Sequence, residues 1–128
     1  MKVLLDTHAF IWWDSDPTKL SPQARAACED RANVVLLSVA SAWEMQIKLQ
    51  LGKLDLRLPL AKVIASQQQT NDIQVLPVAL GHVLALQHLP AQHKDPFDWL
   101  LIAQANVEEA VLISHDLVFA HYPVKVLW

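Results

Sequence analysis

Four carboxylates of this 128-residue chain stand in apolar surroundings. Asp6 follows Val3-Leu4-Leu5, Glu44 sits in Ser41-Ala42-Trp43-Glu44-Met45, Asp98 ends Asp95-Pro96-Phe97-Asp98, and Asp116 follows Val111-Leu112-Ile113-Ser114-His115. A buried carboxylate is costly unless it is hydrogen-bonded, paired or bound to a metal. Four of them on separate segments fit a hard divalent cation, which takes oxygen ligands and supports phosphoryl-transfer or hydrolytic chemistry. Each acid also has a plain structural role open to it. Asp6 can cap a helix starting at Thr7, and Asp116 can cap or turn the chain before Leu117-Val118-Phe119. Glu44, whose neighbours Ala40, Trp43, Ile47 and Leu51 form an apolar stripe, can complete a capping box with Ser41. Asp98 can balance the charge of a helix N-terminus. Asp95, just before Pro96, is the natural cap of that helix, which leaves Asp98 to project from its first turn.

The elements that must position these acids are legible as short apolar runs. Residues 2–5, 33–37, 73–76, 111–114 and 124–127 are rich in β-branched and large apolar residues, and most are continuous rather than alternating. That is the pattern of parallel strands covered on both faces. Segments 7–13, 21–31, 39–51, 59–70, 79–88 and 96–109 have helical character. Ser21-Pro22 and Asp95-Pro96 read as helix starts, and Gly52 as a helix stop. Strands separated by helices predict a three-layer α/β/α sandwich with a mostly parallel central sheet. Asp6 and Asp116 then lie at the C-terminal ends of strands, where ligands of such sheets bind. Glu44 and Asp98, on early helical turns, can face the same rim.

Composition narrows the alternatives. One domain over residues 1–128 is expected from the length. At 53% hydrophobic and 18% charged residues the chain is not disordered, and it has apolar surface to spare for an oligomer. Ten basic against 13 acidic residues, without a basic run, argue against generic nucleic-acid binding by electrostatics alone. Bound cations would relieve that objection where phosphates approach. The single Cys28 cannot form an internal disulfide and reads as a helix filler in a reduced, cytoplasmic setting. No apolar run approaches the ~18 residues of a spanning helix, and no leader pattern opens the chain, so a soluble, unexported protein is expected.

Two glycines, Gly52 and Gly81, cannot build a phosphate-cradling loop. The six histidines (His8, His82, His88, His93, His115, His121) include no His-x-x-x-His pair, which disfavours zinc. No Gly-x-Ser-x-Gly turn supports a serine hydrolase. Trp12-Trp13 and the other three tryptophans read as core or dimer-interface anchors rather than base-stacking platforms. Lys48, one turn after Glu44, reads as a solvated ion-pair partner.

Four segments together resemble the PIN-domain ribonucleases of the VapC toxin type. They are Val3-Leu-Leu-Asp6-Thr7-His8 with Trp12-Trp13, Ser38 to Lys48 with Leu51-Gly-Lys-Leu, His93-Lys-Asp95-Pro-Phe-Asp98 with Leu101-Ile-Ala-Gln-Ala, and Ile113-Ser-His-Asp116 with Phe119 and Tyr122. The resemblance spans nearly the whole chain. It implies a Mg²⁺- or Mn²⁺-dependent endoribonuclease, the toxin of a type II toxin-antitoxin system, usually a homodimer and neutralised by a cognate VapB-like antitoxin. RNA phosphodiesters would be hydrolysed by a metal-activated water, leaving a 5′ phosphate and a 3′ hydroxyl. Asp6, Glu44 and Asp98 would be the main metal ligands, Asp116 a ligand or water-orienting group, and Thr7 and Ser114 their polar supports. Trp99 stands where the family often has Arg, which removes a basic contact there. Two other readings compete: a non-catalytic module whose acidic pocket takes a basic partner segment, and a phosphatase using Asp6. The second lacks its Asp-x-Asp signature, because His8 fills the second acidic place.

Overall fold

A computed structural model describes residues 1–90 and 95–128 of the chain. Five strands form one sheet: β1 (Lys2–Leu5), β2 (Val34–Ser38), β3 (Gln74–Leu76), β4 (Val111–Ile113) and β5 (Val126–Leu127). Every pairing is parallel, and the order is β3-β2-β1-β4-β5. Six α-helices join them among the described residues: α1 (Thr7–Ser15), α2 (Pro22–Glu29), α3 (Val39–Gln50), α4 (Leu60–Asn71), α5 (Leu80–Ala85) and α6 (Pro96–Val107). The expected α/β/α sandwich is therefore present. Among the described residues, short 3₁₀ segments at Pro17–Lys19 and Leu117–His121 were not expected, and the expected helix over 79–88 ends in a 3₁₀ turn at Leu86–His88. β5 is shorter than the run 124–127 because the Val124 N–H turns back to the Tyr122 carbonyl, at 2.8 Å, before pairing begins.

Continuous apolar strands follow from burial on both faces. In register, Val3 lies between Val35 and Val111, and Leu5 between Leu37 and Ile113. Side chains alternate, so Val3, Leu5, Val35, Leu37 and Ile113 enter one core with Phe10 and Trp13 of α1, Ala24 of α2 and Val63 of α4. Leu4, Leu36 and Leu112 enter the other with Leu101, Ile102 and Ala105 of α6, Phe119 and Tyr122. Val3, Leu4 and Leu5 are wholly buried, and each contributes roughly 1.5–3 kcal/mol of hydrophobic stabilisation. β1 is thus the spine of both cores.

The strand order also locates the functional rim. From β1 the chain steps outward to β2 and β3 on one side, then returns to lay β4 on the other side of β1. The order reverses between β1 and β4, and the crevice beyond their C-terminal ends is the ligand position of an open α/β sheet. Helices run back antiparallel to the strands they precede, so α6 has its N-terminus at this rim. α3 begins there directly after β2, with the Ser38 hydroxyl accepting from the Ala40 N–H at 3.0 Å.

A polar cluster fixes α5 and α6 behind the sheet. Ser38 also donates to buried Gln104 of α6, whose amide reaches the Pro77 carbonyl at 3.3 Å. Buried His82 accepts the Ala79 N–H at Nδ1, 2.9 Å, so Nε2 donates to Glu108, also at 2.9 Å. That hydrogen bond, with Lys2 3.7 Å away, holds the Glu108 carboxyl below the usual range against the opposing cost of burial. A depressed carboxylate adds stability above its unfolded pKa, and the contribution is lost as pH falls through the folded value. Urea unfolding from pH 7 down to pH 3 is accordingly expected to show a stability loss below about pH 4.5 that Glu108→Gln makes shallower. An equal acid slope in both proteins would exclude this pair as a contributor.

Candidate active site

Asp6 is the first residue beyond β1, and strand pairing continues into it: its N–H donates to the Ile113 carbonyl at 3.0 Å. This sets it beside the end of β4. One carboxylate oxygen accepts the Ala9 N–H at 2.8 Å, capping α1, and the other accepts the Ser114 hydroxyl at 2.5 Å. The cap role and the buried-acid role both hold, in one residue only 7% exposed. Burial raises its pKa; the Ser114 and Ala9 hydrogen bonds and the charge of His8 lower it, and the like charge of Asp116 raises it. Ser114 accepts in turn from the Asp116 N–H at 3.0 Å, so one hydroxyl couples the two strand ends.

Glu44 enters from the second turn of α3. Its Oε1 accepts the Thr7 hydroxyl at 2.5 Å, tying it to the residue next to Asp6, and its Oε2 pairs with Lys48 at 3.2 Å. The capping box with Ser41 does not form, because α3 starts at Val39 under Ser38 and Ser41 is already a buried helical residue. The apolar stripe assigned to Glu44's helix is also corrected. Trp43 and Leu51 are 60% and 62% exposed, while Ala40 and Met45 carry the packing. Asp98 is half-buried in the first turn of α6, where Asp95 caps the helix by accepting the Phe97 N–H at 2.9 Å. The Trp43 and Phe97 rings meet edge to face at 5.0 Å and so join the turn bearing Glu44 to the turn bearing Asp98.

Asp116 is exposed and caps the 3₁₀ segment that follows, accepting the Val118 N–H at 3.0 Å. It shares with Asp6 an open cleft of about 420 Å³ whose other walls are His8, Trp12, His115 and Leu117. Sequence reasoning did not assign these four. The spacing of His8 and Trp12, four apart on one helix face, was an available signal. Trp13, by contrast, points into the core at 8% exposure. Trp99 packs among the apolar residues around Leu101. Cys28 is buried, and burial pushes its thiol up to about 12, which makes it a poor nucleophile. His93 and Lys94 lie outside the described residues.

The chemistry of this donor set fits a hard divalent cation. Its acids carry oxygen ligands, and the innermost is a buried carboxylate with a second acid beside it, a pairing that added positive charge relieves. The coordination shell is not preformed: among the described residues no three Asp, Glu, His or Cys side chains are already gathered as a metal-holding group. An ion pair with partly exposed Lys48, rather than a backbone cap, holds the outer oxygen of Glu44.

A PIN-domain family model matches residues 3–125. Ribonuclease VapC22 of Mycobacterium tuberculosis (strain ATCC 25618 / H37Rv) is 26% identical over 115 residues, covering 89% of this chain and 86% of that protein. VapBC2 from Rickettsia felis, solved bound to a DNA fragment from its promoter, superposes with a TM-score of 0.74 at 13% identity, covering 99% of this chain and 98% of that one. VapBC-5 from Mycobacterium tuberculosis gives 0.60 at 17% identity, covering 98% and 95%. At such identities the structural matches speak for the fold.

Raising a buried carboxylate's pKa makes its ionised form a destabilising one: the contribution is favourable below the unfolded pKa and is lost as pH rises through the folded value. Asp6→Asn keeps the cap acceptor and removes the charge. At neutral pH in EDTA the variant is expected to melt above the wild type, measured by circular dichroism. A lower melting temperature would show that the Asp6 charge is already compensated within the protein.

Proposed function

The chain belongs to the PIN-domain family, and on that footing we propose that it is a metal-dependent endoribonuclease acting as the toxin of a type II toxin-antitoxin pair. The observation that carries the reading is the buried Asp6 carboxylate at the β1–β4 crevice, held by Ser114 and backed by Asp116 and by Glu44 through Thr7. The ribonuclease name of the 26%-identical relative supports the substrate class, and the VapBC neighbours support an antitoxin partner of VapB type. Residues 1–128 then act as one cytoplasmic unit. Exposed Trp43, Leu80 and Leu84 leave apolar surface for the antitoxin and for a second copy. No helix among the described residues is long and apolar enough to cross a membrane.

In this reading Asp6, Glu44, Asp98 and Asp116 hold Mg²⁺ or Mn²⁺. The ion supplies Lewis-acid chemistry, lowering the pKa of a water and neutralising charge on the scissile phosphate. The protein's part is placement. Ser114 orients Asp6 and keeps it ionisable by donating to it, and Thr7 holds Glu44 toward the crevice. Lys48 pairs with the outer Glu44 oxygen and would be free to face a phosphate if that oxygen held the cation. No side-chain nucleophile is required, and buried Cys28 does not offer one.

Purified protein is expected to cut RNA with Mg²⁺ or Mn²⁺ and not in EDTA, leaving 5′ phosphates, as read by end-labelling on gels. Asp6→Asn abolishes cutting, and Ser114→Ala and Thr7→Val each lower it roughly 10- to 100-fold, the usual cost of losing a group that orients a metal ligand. Full activity in Asp6→Asn, cutting in EDTA, or binding of RNA or a basic peptide with no cleavage at saturating metal would each overturn the assignment.

A further inference from the structure

We propose that the aromatic wall of the Asp6–Asp116 cleft is a pocket for one unpaired nucleobase of the RNA strand; this rests on the nuclease reading and adds to it how the substrate is gripped. Three rings line the cleft, those of His8, Trp12 and His115, and a fourth, Trp128, backs Trp12 and His115 from the end of the chain. His8 and Trp12 lie 5.8 Å apart between ring centroids, Trp12 and His115 6.3 Å, Trp12 and Trp128 5.8 Å, and His115 and Trp128 5.3 Å. These are contact distances for aromatic rings, so the cluster is a joined surface rather than four separate side chains.

Its position argues for a ligand. Trp12 packs against the same core as Trp13 but is only partly buried, and it lines the same cleft as the two acids, with exposed His8, His115 and Leu117 around it. The cleft, about 420 Å³, falls in the size range of small-molecule sites. A phosphate at Asp6 and Asp116 would have its adjoining base within reach of this wall, because both line one cavity. Stacking also answers the electrostatic difficulty of a chain with net charge −3. It holds a strand through π-faces that every base possesses, without a basic groove. The base seated there must be unstacked from its neighbours in the strand.

The test compares a short single-stranded RNA with strands in which each nucleotide in turn is replaced by an abasic residue. In wild type one abasic position adjoining the cut is expected to weaken binding and lower kcat/KM by roughly 5- to 150-fold, the cost of one lost base-aromatic stack. Trp12→Ala and the exposed-site His115→Ala should lose affinity for the intact strand by amounts in that range and become insensitive to the abasic replacement, whereas Trp12→Phe keeps most of the discrimination. General damage to the fold would slow intact and abasic strands alike and leave their ratio unchanged; that result overturns the pocket. Anisotropy titrations of uncleaved RNA with Asp6→Asn in Mn²⁺ give the same comparison without turnover. Absence of cutting by wild type thus counts against the nuclease reading, and equal binding of intact and abasic strands counts against the base pocket.

Discussion

A carboxylate buried where the central strand of a parallel sheet ends must be compensated, and the rim of this protein is organised around that cost at Asp6. Compensation comes from both flanking structures at once. The first turn of α1 donates a backbone N–H, and Ser114 at the end of β4 donates a hydroxyl. Neither donor is a cation, and burial outweighs both in raising the pKa. The protein therefore holds its key acid in a state that an added positive charge improves, which is the physical basis for reading the rim as a cation site.

The rest of the architecture serves that placement. β1 is central because its side chains feed both cores, so the residue following it is placed by the strand that both cores hold. The reversal of strand order between β1 and β4 opens the crevice, and the pairing of Leu5 with Ile113 sets Asp6 beside Ser114. Glu44 is brought in by a short α3 that starts directly from β2, and Thr7 links it to the neighbour of Asp6. On the far side, the Ser38–Gln104 and His82–Glu108 bonds anchor α6, whose first turn carries Asp98.

Much of this was legible beforehand. Continuous apolar runs marked the parallel strands, and Ser21-Pro22 and Asp95-Pro96 marked helix starts that the structure keeps, with Ser21 accepting the Ala24 N–H. Local rules erred where two local partners competed. Ser41 and Glu44 have capping-box spacing, but Ser38 lies at the true strand-helix junction and takes the cap. The stripe Ala40, Trp43, Ile47, Leu51 looked core-facing, yet Trp43 and Leu51 lie exposed because α3 meets the sheet along Ala40 and Met45. Periodicity identifies a face without saying which neighbour, if any, will cover it.

The sequence by itself determined the main strands and helices and the parallel sandwich, and it singled out the candidate acids, because strand burial, helix capping and charge in apolar context are encoded within a few residues. Only the tertiary structure decided which residues meet. Asp6 and Ser114 are 108 residues apart and meet through strand register. Trp12 and Trp13 are adjacent and chemically identical, but a helix turns successive residues by about 100°. That rotation buries one in the core and leaves the other only partly buried, packed on the core yet lining the cleft, where His115 meets it and Trp128 packs behind from the end of the chain.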